Sequence, residues 1–201
     1  MRLTEEYRLA KEQLDKSQVV AFPTETVMGL GIYFDDQKAY QLLNEIKNRP
    51  EDKPYTLMLG DVMDIEKYAY LSIRDLQIVK VFVPGPVTLL LKAKENVPGY
   101  VTHDTGVIGV RVPAMPLVCD FINYCEKPLL VPSANKSGEK PALTSLEVRQ
   151  IFGDEIAYIF DSDSLRQSPS TIIDLTSEQV KILREGPISL EDINNVLKGD
   201  K

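Results

Sequence analysis

The sequence predicts a single α/β domain built on a twisted, open, mixed sheet with flanking helices. Three observations carry this. Segments with apolar residues at three- and four-residue spacing alternate with short β-branched runs along almost the whole chain. The 201 residues suit one domain with one core, and a hydrophobic fraction of 43% is that of a globular protein. No internal repeat or low-complexity linker divides the chain.

The elements follow in order. Leu3, Tyr7, Ala10 and Leu14 share one helical face, and Thr4 followed by two glutamates suits the helix start. Val19–Phe22 is a short strand ended by Pro23. Ala39, Leu42, Leu43 and Ile46 mark a second amphipathic helix that Asp35 or Asp36 would cap. Strands are expected at Tyr55–Leu59, Val87–Leu91, Val107–Val112, Leu129–Val131, Ile156–Phe160, Thr171–Leu175 and Val180–Leu183. Helices are expected at Asp61–Ala69, Ser72–Phe82, Leu117–Tyr124, Ser145–Phe152 and Leu190–Leu197. Thr144 and Glu147 have the spacing of a capping box ahead of the fourth of these.

Composition narrows the function. A net charge of −7 does not draw polyanions at long range, so a nucleotide or nucleic-acid site must be a local basic patch. His103 is the only histidine, which argues against a Ser-His-Asp triad and a histidine-based metal site. Cys119 and Cys125 lack the spacing of a zinc pair or a redox motif and read as buried thiols. The charged N-terminal stretch has no signal-peptide core and no apolar run spans a bilayer, so a cytoplasmic protein is expected.

Four polar or Gly/Pro-punctuated loops adjoin predicted strands: 22–31, 47–54, 131–138 and 168–171, the last followed by 183–186. Each has an ordinary explanation alone. Gly29 and Gly31 would close a turn, Lys47, Arg49 and Lys53 would complement a helix dipole at a solvated end, and Ser133 and Asn135 would form a polar turn. Together they suit a polyphosphate, which needs several cations and hydroxyl or amide donors. No G-x-x-x-x-G-K-[ST] stretch occurs, so the site is not a P-loop. Lys47 and Arg49 lie two apart beside a helix-ending proline, and Ser133 and Asn135 two apart just past a strand. Both pairs are expected to point into one solvated cleft.

The ordered motifs FPTETVMGLG, KNRPEDKPYTLML, PGPVTLLL, GVRVP, PLLVPSANKSG, PSTIID and ILREG resemble the YrdC/YciO-like family from about Val19 to Gly186. The resemblance implies the family's fold around a deep cationic cleft. It implies use of L-threonine, bicarbonate or CO2, and ATP carried with Mg²⁺, to give threonylcarbamoyl-AMP and pyrophosphate. A separate transferase would pass the product to tRNA. Residues 1–201 would be one domain of the short form, without the long form's C-terminal domain.

Carried over residue by residue, the resemblance places Thr26, Thr171 and Arg111 near threonine. It places Arg49, Lys53, Ser133, Asn135 and Arg184 near the nucleotide, with Lys47 and Arg49 as the catalytic cations and no metal-ligating residue. Met28 and Met58 stand where relatives have Tyr and His beside threonine, Val107 where a threonine is frequent, and Asn48 where glycine is frequent. Two other readings stay open: a double-stranded RNA or tRNA-binding module using Lys47, Arg49, Lys136 and Lys140, and a YciO-type paralogue with little synthase activity.

Overall fold

The computed structural model describes residues 2–49, 54–165 and 168–199. The helices are α1 (Arg2–Leu14), α2 (Gln37–Lys47), α3 (Ile65–Tyr68), α4 (Ile73–Phe82), α5 (Gly99–Thr102), α6 (Pro116–Cys125), α7 (Ser145–Phe152) and α8 (Leu190–Gly199). The strands are β1 (Val20–Phe22), β2 (Gly29–Tyr33), β3 (Thr56–Met58), β4 (Val87–Lys92), β5 (Val107–Arg111), β6 (Leu129–Leu130), β7 (Tyr158–Ile159), β8 (Thr171–Asp174) and β9 (Lys181–Arg184). They form one mixed sheet in the order β7-β1-β2-β6-β3-β5-β4-β8-β9. The pairs β1/β7, β3/β5 and β4/β8 are parallel and the rest antiparallel. No helix among the described residues is long and apolar enough to cross a membrane.

Local signals explain many boundaries. Asp36 accepts from the backbone of Ala39 to start α2, and the capping boxes Ser72/Asp75 and Thr144/Glu147 start α4 and α7. α2 is capped at Asn48, whose left-handed φ of 48° is one that glycine adopts most readily. Asparagine is the other residue that tolerates it. The first helix begins at Arg2, ahead of the expected Thr4, and 61–69 divides into a 3₁₀ turn at Val62–Asp64 and the short α3.

The Gly-x-Gly pair is neither a turn nor a phosphate loop. Gly29 and Gly31 lie inside β2, where a Cβ would stand 2.6 Å from Val131 Cγ1 and 2.5 Å from Phe22 Cε1. Side chains of the neighbouring strands fill the space, so only glycine fits.

Two apolar layers cover the sheet. One holds Leu30, Leu43, Leu57, Leu89 and Ile173, with α2, α4 and α8 packed on it. The other holds Tyr7, Leu14, Phe22, Phe121 and Phe160 between α1, α6 and the β1 side. Cys125 is buried and Cys119 half-buried, both as free thiols.

Candidate active site

Strand polarity brings distant segments to one end of the sheet. β4 and β8 are parallel, and each is antiparallel to its other neighbour, β5 or β9. The starts of β4 and β8 therefore lie beside the ends of β5 and β9, which carry Thr88, Ser170, Arg111 and Arg184 to one place. β3 adds Thr56 and Met58, and the loops after β1 and β6 add Thr26 and Ser133. These side chains line a cavity of about 210 Å³, which Arg49 reaches from the end of α2.

The three guanidiniums are held by different means. Arg184 donates through Nε to Ser170 O (3.0 Å) and through Nη2 to Ser170 Oγ (2.9 Å). Burial and the charge of Arg111 lower its pKa. Arg111 is buried, donates through Nη2 to Thr26 Oγ1 (2.9 Å) and lies 2.9 Å from Glu25 Oε1 as an ion pair. Both Glu25 oxygens and Arg111 Nε lack a hydrogen-bond partner among the described residues. Arg49 stacks on the Tyr55 ring at 4.6 Å and donates to Pro54 O (3.0 Å).

Lys47 departs from its expected place. It does not point into a solvated cleft; it is 1% exposed, and its Nζ donates to Ser133 O and Asn135 O, each at 2.6 Å. Burial, with the charges of Arg49 and Lys136, lowers its pKa to about 7. Lys47 thus ties the end of α2 to a loop 86 residues downstream. That loop is braced from within: Ser133 Oγ donates to Asn135 Oδ1 (2.6 Å), and Asn135 Nδ2 donates to Lys136 O and Glu139 O. Asn135 is buried, and all of its side-chain polar atoms serve the loop; Ser133 lines the cavity.

Thr171 also departs. It is fully buried and its hydroxyl joins the backbone of Ile188, donating to Ile188 O (3.1 Å) and accepting from Ile188 N (2.9 Å). Successive strand residues face opposite sides, so Ser170 and Ile172 line the cavity and Thr171 does not. Sequence reading missed Ser170, which the period of two in Ser170-Thr171-Ile172 would have identified once one residue was placed. It also missed Thr88, Thr56 and Glu25. Met58 lines the cavity, but Met28 is a core residue rather than a pocket wall. Lys53 lies outside the described residues.

The family model described as Telomere recombination, for the Sua5/YciO/YrdC domain, matches residues 12–186. The threonylcarbamoyl-AMP synthase of Pyrococcus abyssi is 35% identical over 192 residues, 94% of this chain and 56% of that protein. The chain therefore spans little more than half of that relative. The threonylcarbamoyl-AMP synthase of Vibrio parahaemolyticus is 36% identical over 177 residues, 86% of this chain and 95% of that protein. Among solved structures, P. abyssi Sua5 complexed with L-threonine matches with a TM-score of 0.89 at 34% identity, covering 96% of this chain and 57% of that one. Escherichia coli YciO matches with a TM-score of 0.87 at 25% identity, covering 95% and 93%.

Proposed function

The chain belongs to the Sua5/YciO/YrdC family, and on that premise we propose that it is a threonylcarbamoyl-AMP synthase acting in the cytoplasm. One observation carries the reading. Three guanidiniums and five Ser/Thr side chains, drawn from well-separated stretches of sequence, line a single cavity.

The chemistry fits that lining. The amine of L-threonine, in its neutral form, attacks CO2 to give a carbamate and a proton released to solvent, or attacks bicarbonate to give the carbamate and water. A carbamate oxygen then attacks the α-phosphorus of ATP, and pyrophosphate leaves. No covalent link to the protein is needed. The protein's part is to hold two anions together and stabilise phosphoryl charge, a task for guanidiniums aimed by fixed acceptors. Arg49, Arg184, Ser133 and Lys53 are assigned to the nucleotide, and Thr26 and Arg111 to threonine. Ser170 takes the place expected of Thr171. Lys47 and Asn135 act as positioning residues, because their polar groups are spent on the loop that carries Ser133.

Mg²⁺ would arrive with the nucleotide's phosphates. Among the described residues no group of three or more His, Cys, Asp or Glu is placed to hold a metal. The product would pass to a separate tRNA threonylcarbamoyl transferase.

Pyrophosphate release with ATP and bicarbonate tests the proposal. L-Threonine should drive it, L-serine should drive it weakly, and 2-aminobutyrate should be poorer still, since a site that pairs the substrate hydroxyl rejects analogues lacking it. Release that ignores threonine would overturn the synthase reading in favour of a YciO-type paralogue, a reading that Met58 in the cavity wall would then explain.

A further inference from the structure

We infer that Thr24, a buried residue outside the cavity lining, makes Thr26 a pure hydrogen-bond acceptor toward the ligand, so the substrate group meeting Thr26 is the amine or hydroxyl of the amino acid and not its carboxylate or a phosphate. The ligand part of this inference rests on the amino-acid substrate proposed above. The polarity of Thr26 stands on its own geometry.

A threonine hydroxyl has one proton and two lone pairs. Thr24 Oγ1 lies 2.7 Å from Val27 O, and a carbonyl oxygen has no proton, so the proton of Thr24 goes there. Thr24 Oγ1 also lies 2.8 Å from Thr26 Oγ1. That contact needs a proton, and only Thr26 can supply it. The backbone N–H groups of Thr26 (3.2 Å) and Val27 (3.3 Å) share the remaining lone pair of that Thr24 oxygen as a longer, bifurcated contact that closes the turn. Arg111 Nη2, which can only donate, then meets Thr26 Oγ1 at 2.9 Å.

Thr26 has therefore given away its one proton and filled one lone pair. What remains is a single lone pair. A carboxylate or phosphate oxygen placed there would meet lone pair with lone pair, whereas an N–H or O–H would complete the hydroxyl. Arg111 supplies the opposite polarity beside it, with an Nε that lacks a partner among the described residues. An acceptor next to a guanidinium matches an amino acid whose amine or hydroxyl and carboxylate leave the same carbon skeleton. Thr24 is on this account a positioning residue that sets which end of the substrate goes where.

Two arms test this. In the free protein, threonine-labelled NMR should find the Thr26 hydroxyl proton protected from exchange and close in space to Thr24. A rapidly exchanging Thr26 hydroxyl proton would overturn the polarity, and this arm needs neither a ligand nor a variant. In the second arm, calorimetry with a non-hydrolysable ATP analogue compares wild type, Thr24→Ser and Thr24→Val. Thr24→Val should weaken L-threonine about tenfold, the scale of one net hydrogen bond, while nucleotide affinity stays within about twofold. Thr24→Ser should restore threonine binding.

Of 2-aminobutyrate and 3-hydroxybutyrate, the one lacking the donor that faces Thr26 should bind Thr24→Val and wild type alike. Equal weakening of all three ligands would mean a merely structural role and overturn the inference. Should wild type bind no threonine while Thr26 is protected as described, the substrate reading fails and the polarity of Thr26 survives.

Discussion

Replacing Lys47 by methionine removes the ammonium and keeps most of the stem's volume. Asn135 O loses its donor at 2.6 Å beside a fully buried side chain, while Ser133 O loses one at the same distance and keeps a longer bond from Asn135 N (3.1 Å). The one orphaned acceptor, Asn135 O, costs about 1–3 kcal/mol, and Ser133 O loses only its shorter bond. The desolvation of a buried cation, which the lowered pKa of Lys47 signals, is relieved at the same time. A net loss of about 2 kcal/mol results, which lowers the melting midpoint by about 4–8 °C in a chain of this size. Turnover should fall by about tenfold or more, chiefly through ATP affinity, because the freed loop carries Ser133.

Titration separates this account from a simple packing defect. Lys47 has a pKa of about 7 when folded and an ordinary value of 10.5 when unfolded. Below about 7 both states hold the proton, and between these values only the unfolded state does. Unfolding then takes up a proton, so stability rises with pH across this window, is fully present above 10.5, and is lost as pH falls toward 7. Urea denaturation at several pH values should show the stability of wild type relative to Lys47→Met growing from pH 7 to pH 10. A difference independent of pH, or a variant with wild-type midpoint and turnover, would refute the tie.

The other side chains give sharper contrasts. Arg49→Ala should lower ATP-dependent turnover by about 10- to 100-fold with the midpoint nearly unchanged, since Arg49 is only half-buried and its loss removes a charge-assisted contact; turnover and melting measured together check this. Thr171→Val should destabilise by about 1–3 kcal/mol through the lost bonds to Ile188 and leave amino-acid preference intact, whereas Ser170→Ala, which strips partners from Arg184 Nη2 and Thr88 Oγ1, should cost comparable stability and change KM as well; urea denaturation and pyrophosphate-release kinetics check both. Any tRNA binding should be weak, fall steeply between low and physiological salt, and be dispensable for pyrophosphate release; a salt-resistant complex in a filter-binding assay would contradict this.

Much of the fold was legible because its local signals agree. Apolar spacing located the longer helices and most strands, and the Thr144/Glu147 capping box marked the start of α7 at Ser145. β2 was missed because Gly29-Leu30-Gly31 reads as a turn until Phe22 and Val131 are seen to occupy the space a Cβ would need. The loops that build the site were legible as motifs, and the roles of single side chains were not. A lysine at a helix end beside an arginine reads as solvated; only tertiary structure brings two carbonyls from the 133–135 loop over its ammonium. The family resemblance points to Thr171 rather than Ser170, and sequence alone does not say which strand face looks into the cavity.

The gathering of Arg49, Arg111 and Arg184 in an acidic protein is itself informative. Like charges brought together and partly buried work against folding, and the lowered pKa of Arg184, caused by burial and by Arg111, records that strain. The fold offsets it locally. Glu25 faces Arg111, Ser170 takes two donors from Arg184, and Arg49 rests on Tyr55. Glu25 is the weakest of these supports, since neither of its oxygens is hydrogen-bonded among the described residues. A purely structural cluster would satisfy that carboxylate or dispense with it. Here it balances part of the cationic charge while leaving donors such as Arg111 Nε uncommitted, and a bound anion would relieve the remaining repulsion. On the function proposed, an anionic substrate in this cavity should raise the melting midpoint, as expected where preorganised charge serves binding rather than folding, and a midpoint unmoved by ATP would contradict this.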